Sequence, residues 1–513
     1  MGACCSSAPK GGSYLDGTAS ITLDVGRVPS QPNDDTDNDV HSGIAALGPI
    51  VDDDAITHQV ARMTQRIKME RARLDAWRME CVRNGTLPKK ANGKVQSWYE
   101  NDGLQLQPLL EVTTLLDVRW LLKMATGSAS PELGGVLPAW QELPLEAAVT
   151  LKQLQAYGGY GLPCAVLSYP WASKTHPDPD GSHLASLVPL LELLVSECDL
   201  IGAGCSFGLM WDWASLPQRG HTLGNSSAEG EDRTPQQLAR FRVGLAHINE
   251  WYAAPYTWTI LLDTPLPASA TNQVVYGNRG WCVFERRISC LATATRCEIS
   301  IRDMREAGIN PRDDVTGGVF NLSNRIALQK ACHRPAPMPP DAFEAYVRAE
   351  VDAGRMSFTN GKDLTDVIIP QYRECFMRTL GASAKLVFVN VGWRDADLRQ
   401  LADSLRFAHA HGCLGRLREL YMAGNQFGDE GLEQIRALLA DGVLHKVGYI
   451  DLRNSCDVAS EGAMQALAAT AATQPRRTRS TARAPRPLKI KMVSGGTTAR
   501  WLGIESEGTP SFT

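Results

Sequence analysis

The sequence predicts an α/β protein: a doubly wound parallel sheet, with an N-terminal helical region and a C-terminal segment of short repeats. Two observations predict this class. Between residues 160 and 300, short apolar runs alternate with amphipathic helical patterns, which is typical of parallel strands covered by helices. Beyond residue 384, a leucine-containing pattern recurs at a spacing of about thirty residues, which indicates repeats.

The composition is that of an ordinary globular chain. Its 513 residues are 43% hydrophobic and 21% charged, with a net charge of only -4, so bulk attraction to nucleic acid is not expected. The 13 cysteines lack the paired spacing of metal or disulfide motifs, which favours reduced thiols in a cytosolic protein. No apolar run predicts a membrane span, because acidic residues interrupt the best candidate, Leu184–Trp211.

The N-terminus carries a lipidation pattern. Gly2 begins the Met-Gly-x-x-x-Ser/Thr rule for myristoylation, and Cys4 and Cys5 are placed for palmitoylation. One myristoyl chain binds a membrane only marginally, so the second acyl chain would make attachment stable. We expect residues 1–50 to be a disordered, acylated tether at the cytoplasmic face of a membrane. The alternative is an unmodified, disordered start on a cytoplasmic protein.

Residues 51–159 predict a helical region. The first helix runs over 52–84, and its apolar residues keep near-heptad spacing. We expect that stripe to pack on the next domain; a short coiled coil, or a basic face on anionic lipid, is the alternative. Further helices are expected over Leu106–Lys123 and near Leu145–Gln155.

Residues 160–300 predict the sheet. The expected strands are Cys164–Tyr169, Gly208–Trp213, Thr257–Leu262 and Arg296–Ser300, and the expected helices are Leu184–Cys198, Gln237–Tyr252 and Trp281–Ala294. In such sheets ligands bind beyond the carboxyl ends of the strands. Ser168–Ser173, Asp212–Gln218 and the start of the last helix all fall on that edge, so we expect them to meet.

The last of these helices carries a carboxylate at the border of its buried face. Its apolar residues have the three-and-four spacing of a core-facing stripe: Trp281, Phe284, Ile288 and Leu291. Glu285 lies beside that stripe, where a solvated glutamate is not expected. One interpretation is a first-turn glutamate favoured by the helix dipole or paired with Arg279; the other is a functional carboxylate.

Four segments form an ordered set of motifs: AVLSYPW, GLMWDWASLPQ, INEWYAAPYTWTILLD and NRGWCVFERRIS. In this order they resemble the landmarks of the fungal heterokaryon-incompatibility (HET) domain, which are a strand ending Ser-Tyr-x-Trp, a strand ending in Asp before a Gln, a helix before the third strand, and Arg-x-Trp-x-x-x-Glu. The last segment also looks like the Trp-Cys-x-x-Glu helix of TIR domains. The sequence departs from the HET pattern at Ala172, where Gly is typical, and by the insert Lys174–His183.

The resemblance implies an activity. TIR-like enzymes cleave the bond between nicotinamide and ribose in NAD, and the resemblance assigns the catalytic role to Glu285. Nicotinamide leaves from a cationic pyridinium, so no general acid is needed, and one carboxylate can stabilise or capture the oxocarbenium-like ribose. Arg279 would neutralise a phosphate, and Trp281 and Cys282 would fix the helix. The implied substrate-binding residues are Ser168, Tyr169, Trp171, Asp212, Arg279 and Trp281.

Other chemistries fit the sequence less well. The insert offers four side chains that could bind a metal, but their spacing matches no metal loop and a surface turn is expected: His176, Asp178, Asp180 and His183. Gly202–Gly208 precedes a strand, which is the wrong order for a phosphate loop. Cys282 as a protease nucleophile lacks an identifiable partner histidine. We therefore expect no bound metal or cofactor, with NAD as a possible substrate.

The remaining segments predict connection and recognition. Residues 301–384 read as a helical connector with a proline-rich interruption and no assigned chemistry. Residues 385–472 resemble leucine-rich repeats, because Leu417–Phe427 matches L-x-x-L-x-L-x-x-N-x-L and Asn425 would cap the turn through backbone hydrogen bonds. Such repeats would recruit a protein partner or shield the sheet domain. Residues 473–513 are expected to be a disordered basic tail.

The leading hypothesis is thus a membrane-tethered signalling or defence protein that hydrolyses NAD. Self-association would assemble its active site. A non-catalytic adaptor on the same fold is the second hypothesis. A lipid-anchored scaffold without a ligand is the third, and it predicts a site filled by side chains.

Overall fold

The computed structural model of the chain describes residues 53–90, 93–128, 135–202, 204–221, 231–291, 297–308, 334–358, 360–474, 488–492 and 500–502. All of them lie in one compact unit, Val51–Thr513. The predicted acylation sites Gly2, Cys4 and Cys5 lie outside the described residues. Among the helices in these ranges, none has the length and apolar character needed to cross a membrane.

The first sheet has five strands, and four of them are parallel. In spatial order they are β1 (Leu116–Asp117), β3 (Gly208–Met210), β2 (Cys164–Ser168), β4 (Trp258–Leu261) and β5 (Glu298–Ser300). Only β1 is antiparallel to its neighbour. The chain adds β3 on one side of β2 and then returns to add β4 and β5 on the other. This reversal creates a topological switch point beyond the carboxyl ends of β2 and β4, where α/β sheets bind ligands.

Helices accompany these strands along the chain. They are α1 (Asp53–Asn84), α2 (Ser97–Glu100), α3 (Gly103–Leu106), α4 (Val118–Ala125), α5 (Leu151–Ala156), α6 (Ser182–Ile201), α7 (Asp212–Ser215), α8 (Pro235–Ala246), α9 (Ile248–Ala253), α10 (Gly280–Ser289) and α11 (Ile301–Glu306). Alternate residues of β2 face two separate cores, one shared with α9 and α10 and the other with α4 and α6. Helices therefore cover both faces, and the predicted α/β class is confirmed.

The long helix α1 packs on the sheet domain, as its apolar stripe predicts. The stripe residues Ile56, Ile67 and Leu74 are buried, and the helix contacts α8. An ion pair of 2.6 Å between Arg71 of α1 and Glu250 of α9 adds to this contact. Burial of the stripe accounts for the helix, because packing of one apolar face supplies most of the stability of a helix in a folded protein.

Three predicted helices are broken in the structure, and the one near Leu145–Gln155 consists of a 3-10 turn over Leu145–Ala147 followed by α5. The one predicted over Leu106–Lys123 contains a 3-10 turn, then β1, then α4, so the region predicted as helical holds a strand. The Asp117 carboxylate caps α4 by accepting from the Arg119 amide at 2.8 Å, which starts the helix only there. The helix predicted over Gln237–Tyr252 divides at His247 into α8 and α9.

The connector contributes α12 (Pro340–Asp352), a π-helical turn (Leu364–Ile368) and α13 (Ile369–Ala382). Between these helices the chain returns to the sheet domain at Ser357. The Gly280 amide donates to the Ser357 carbonyl at 2.9 Å, and the Ser357 amide donates to Asn278 at 3.0 Å. This contact fixes the connector against the first turn of α10.

The second sheet has the spatial order β10 (Arg500–Leu502), β9 (Lys489–Met492), β8 (Tyr449–Asp451), β7 (Glu419–Tyr421) and β6 (Lys385–Val387). Strands β6 to β9 are parallel. The first three are each followed by a helix: α14 (Asp395–Ala410), α15 (Asp429–Ala440) and α16 (Glu461–Thr473). Three strand–turn–helix units therefore stack side by side.

Buried Asn425 hydrogen-bonds to backbone groups, as predicted, and some of these groups belong to the neighbouring unit. Its Oδ1 accepts from the Val391 and Trp393 amides, each at 3.2 Å. Its Nδ2 donates to the Phe388 and Met422 carbonyls, each at 2.8 Å. The polar atoms of its side chain are thus satisfied by backbone groups of its own turn and of the neighbouring unit.

The prediction of a disordered tail from residue 473 is wrong for Arg500–Leu502, which forms β10, and for Lys489–Met492. This segment forms β9 and pairs in parallel with β8. The side chains of Leu488, Ile490 and Met492 are buried, and β9 lies between β8 and β10 in the second sheet. Their alternation is the pattern of a half-buried strand, which the surrounding polar composition obscured.

Candidate functional site

A cavity of about 1040 Å³ lies beyond the carboxyl ends of the central strands. Its volume is at the upper end of the range for small-molecule sites, about 300–1000 Å³. Of the predicted site residues, those that line it are Tyr169, Trp171, Asp212, Arg279, Trp281 and Glu285. The expected meeting of the segments after β2 and β3 with the start of α10 is therefore confirmed.

The side chain of Glu285 projects from α10 into this cavity and is half-buried. Its Oε2 accepts a hydrogen bond of 2.6 Å from the Ser168 hydroxyl. Burial raises the pKa of this carboxyl to about 8, although the hydroxyls of Ser168 and Tyr252 stabilise its charged form. The nearby Asp212 carboxylate raises the pKa further.

Within the described residues, Glu285 belongs to none of the ion pairs, so the interpretation as a partner of Arg279 is wrong. The Arg279 guanidinium instead donates to two backbone carbonyls, Val274 at 2.7 Å and Asn272 at 3.0 Å. The Glu285 carboxyl is thus anchored by hydroxyls rather than by charge.

Ser168 ends β2 and is completely buried beneath the cavity wall. It was expected to contact substrate, but its hydroxyl holds Glu285 instead. That hydroxyl also lies 2.7 Å from the hydroxyl of Tyr276, which is 3.3 Å from the Cys282 carbonyl. Ser168 therefore positions the carboxyl and does not line the cavity.

Asp212 is the second carboxyl of the cavity, at the start of α7. It accepts hydrogen bonds from the Tyr169 hydroxyl, the Trp171 indole and the Trp213 amide, the last at 2.7 Å. Burial nevertheless raises the pKa of Asp212, because it outweighs these bonds. Two carboxyls with raised pKa in one cavity are typical of a functional site.

Arg279 supplies positive charge to the cavity, in contrast to the two carboxyls. Its side chain is half-buried, and burial lowers its pKa, yet a guanidinium remains charged at neutral pH. Lys174, from the insert that departs from the HET pattern, also lines the cavity. A ligand that carries both a cation and an anion would therefore find complementary groups here.

Aromatic side chains form parts of the cavity wall and are held in place. The Trp171 ring meets Trp213 edge to face at 5.8 Å. The Trp281 indole donates to Asp363 at 2.9 Å and meets Phe284 edge to face at 6.0 Å. Because their orientations are fixed in the free protein, a planar ligand could stack on them at a small entropic cost.

Cys282 is buried at the wall of the cavity, and the state of its thiol does not fit a nucleophile. Its thiol lies 3.4 Å from the Tyr169 carbonyl, to which it donates. Burial raises the pKa of this thiol well above its usual value, so the thiolate is not populated at neutral pH. The predicted role in fixing α10 fits this contact.

The polar side chains of the insert are used in a turn and a helix cap. Asp178 accepts from the amides of His183 at 2.8 Å and Leu184 at 2.9 Å, which starts α6. The ring of His176 bonds to the Leu137 carbonyl at 3.1 Å, and that of His183 bonds to Pro170 at 2.9 Å. Within the described ranges, no group of three or more metal-ligating side chains occurs.

The sequence interpretation missed Tyr252, Tyr276 and Phe358. Tyr276 precedes the motif of α10 by only a few residues, so it could have been noticed. Phe358 belongs to the connector, and it reaches the cavity because Gly280 leaves room: a Cβ there would lie 2.1 Å from the Phe358 ring. No local pattern indicates such a contact.

No protein-family model matches the chain, and no curated protein matches it significantly. The resemblance to HET and TIR domains therefore depends on the order of the four motifs.

Proposed function

We propose that this is a membrane-tethered signalling or defence protein whose TIR/HET-like domain hydrolyses NAD at the bond between nicotinamide and ribose. One observation carries the proposal: the Glu285 carboxyl, without an ion-pair partner among the described residues, faces a cavity large enough for a nucleotide. A ligand-free scaffold would fill this region with side chains, so the open cavity favours a ligand.

The chemistry needs one carboxylate. As the C1′–N bond breaks, its electron pair leaves with nicotinamide, which becomes neutral and needs no proton. The Glu285 carboxylate stabilises the positive charge that develops on the ribose, or captures it. Water then bonds to C1′ and releases a proton, so the products are ADP-ribose, nicotinamide and H⁺.

The raised pKa of Glu285 fits a cationic substrate. In the empty cavity, a pKa of about 8 leaves the carboxyl mostly protonated at neutral pH. A pyridinium ring in the same poorly solvated space favours the carboxylate and lowers this pKa. The substrate therefore generates the ionised form that its own cleavage requires.

The other groups have corresponding roles. Arg279 neutralises a phosphate of the dinucleotide, and Tyr169, Trp171 and Trp281 contact the rings. Asp212 lies where it can accept from a ribose hydroxyl or take the proton released by water. Ser168 acts through Glu285.

The strand order of the first sheet supports the TIR/HET-like assignment, because it places the switch point beside the cavity. The three stacked strand–turn–helix units and the buried Asn425 support leucine-rich repeats in the second sheet. These repeats would bind a protein partner, the acylated N-terminus would bind a membrane surface, and self-association would assemble the active site.

The test is release of nicotinamide from NAD, measured by chromatography on purified protein at high concentration and on liposomes. Glu285→Ala should abolish nicotinamide release. As a control for folding, this variant should unfold at the same denaturant concentration as the wild-type protein. Glu344→Gln, which alters a surface ion pair on α12, should leave release unchanged. If the wild-type protein releases no nicotinamide in any assembled form, the proposed NAD hydrolysis is rejected in favour of a non-catalytic adaptor.

A further inference from the structure

Three hydrogen-bonding groups continue in a line from Glu285 into the core. The Ser168 hydroxyl is 2.6 Å from the carboxyl, the Tyr276 hydroxyl is 2.7 Å from Ser168, and the Cys282 carbonyl is 3.3 Å from Tyr276. Ser168 and Tyr276 are both buried. Solvent therefore does not replace a bond lost along this line.

The number of protons restricts how the line is bonded. Each hydroxyl has one proton to donate. When Glu285 is ionised, Ser168 donates to it, so Tyr276 has to donate to Ser168. When Glu285 is protonated, it can donate to Ser168, which then donates to Tyr276, which donates to Cys282. The Glu285–Ser168 and Ser168–Tyr276 pairs stay bonded in both cases with their donors reversed, and the Tyr276 bond to the Cys282 carbonyl forms only when Glu285 is protonated.

We propose that Ser168 and Tyr276 form a reversible hydrogen-bond relay that keeps Glu285 bonded in both protonation states, with Tyr276 acting as a positioning residue through Ser168. The inference rests on the proposed function wherever catalysis is its readout. Titration of Glu285 tests it independently of catalysis.

The relay favours the ionised state more than the neutral one. Donation from Tyr276 polarises the Ser168 hydroxyl and strengthens its bond to the carboxylate. The neutral carboxyl loses less without Tyr276, because it can accept from Ser168 on one oxygen and donate to cavity water from the other. Removing the Tyr276 hydroxyl should therefore raise the pKa of Glu285.

Other titratable groups face Glu285 and stay unchanged in this variant. Asp212 faces it from α7, Tyr252 from α9 and Cys282 from α10 itself. Burial and mutual repulsion keep the hydroxyl and the thiol neutral near pH 8. A shift in Tyr276→Phe is therefore assigned to the lost hydroxyl.

The experiment compares three variants with wild type. Tyr276→Phe should raise the pKa of Glu285 by roughly half a unit, and Ser168→Ala, which removes the direct bond, by roughly one to two units. Tyr372→Phe, which deletes another buried hydroxyl that donates to Met338 at 2.8 Å, should leave it unchanged. The Glu285 signal is identified by its loss in Glu285→Gln, with ¹³C-labelled glutamate side chains followed by NMR.

Catalysis gives the second readout. Nicotinamide release at pH 6 should fall about threefold in Tyr276→Phe, in proportion to the smaller ionised fraction, and return to the wild-type rate above pH 9. A loss of equal size at every pH would show a merely structural role and overturn the relay. An unchanged titration of Glu285 in Tyr276→Phe would overturn it as well. If the protein does not cleave NAD but Tyr276→Phe still shifts the pKa of Glu285, the relay is supported and only the proposed NAD hydrolysis is rejected.

Discussion

The hydroxyl of Ser168 donates a hydrogen bond of 2.6 Å to the carboxyl of Glu285, and this contact joins the end of β2 to α10. β2 is the central strand of its sheet and is buried along its length. The carboxyl is therefore fixed to the most rigid part of the domain. Preorganisation of this kind is what electrostatic catalysis requires.

Glu285→Gln should stabilise the protein at alkaline pH. The folded pKa of about 8 lies above the unfolded value of 4.5, so between them the unfolded state binds fewer protons and stability falls as pH rises. At pH 9 we expect the variant to be about 1–2 kcal/mol more stable, after allowing for screening by cavity water. Urea unfolding at pH 4 and pH 9 measures this. Equal pH dependence in both proteins would contradict it.

Binding of a cationic pyridinium should release a proton. At pH 7 Glu285 is mostly protonated in the empty cavity, and a positive ring beside it favours ionisation. Calorimetry with 1-methylnicotinamide in two buffers of different ionisation enthalpy should detect release of nearly one proton. Neutral nicotinamide, and the cation with Glu285→Gln, should release none. The same proton count for cation and neutral ligand would refute the coupling.

Arg279→Gln should weaken binding of dinucleotides selectively. Two backbone carbonyls fix the guanidinium at the cavity wall, where its charge can bond a phosphate. Loss of such a charge-assisted bond should raise the Kd of ADP-ribose roughly ten- to a hundredfold. The Kd of 1-methylnicotinamide should not change. Equal weakening of both ligands would point to a general distortion instead.

Gly280→Ala should disturb the cavity wall. The added Cβ would lie 2.1 Å from the Phe358 ring, so this ring or α10 has to move, at an expected cost of about 1–3 kcal/mol in unfolding free energy. Gly277→Ala is the matched control, since no atom lies within 4 Å of its added Cβ. Adding Phe358→Ala to Gly280→Ala should remove the clash and recover part of the lost unfolding free energy. No recovery would show that the ring contact is unimportant.

Local patterns were sufficient for the four parallel strands of the first sheet and for α10. Apolar runs and the spacing of α10 predict these strands, this helix and the border position of Glu285, because burial selects side chains residue by residue. The carboxyl edge follows from the parallel arrangement, and it brings Trp171, Asp212 and Glu285 to one cavity. Motif order then suggests the chemistry.

Long-range contacts were not predictable. β1 has two residues and exists because it pairs with β3, which no window around Leu116 indicates. Phe358 reaches the cavity from the connector through backbone bonds of Ser357. The direction of the Ser168 hydroxyl depends on Tyr276, more than a hundred residues away. Such relationships depend on how elements pack, and single-sequence patterns do not carry them.

The most direct test is the rate of nicotinamide release from NAD as a function of pH, in wild type and Glu285→Gln. For wild type we predict that kcat/KM rises about tenfold per pH unit below pH 8 and levels off above it, because the free protein must lose one proton. Glu285→Gln should stay at the uncatalysed rate at every pH. An active Glu285→Gln variant, or a flat wild-type profile between pH 5 and pH 8, would contradict the assignment of Glu285 as the reacting carboxylate.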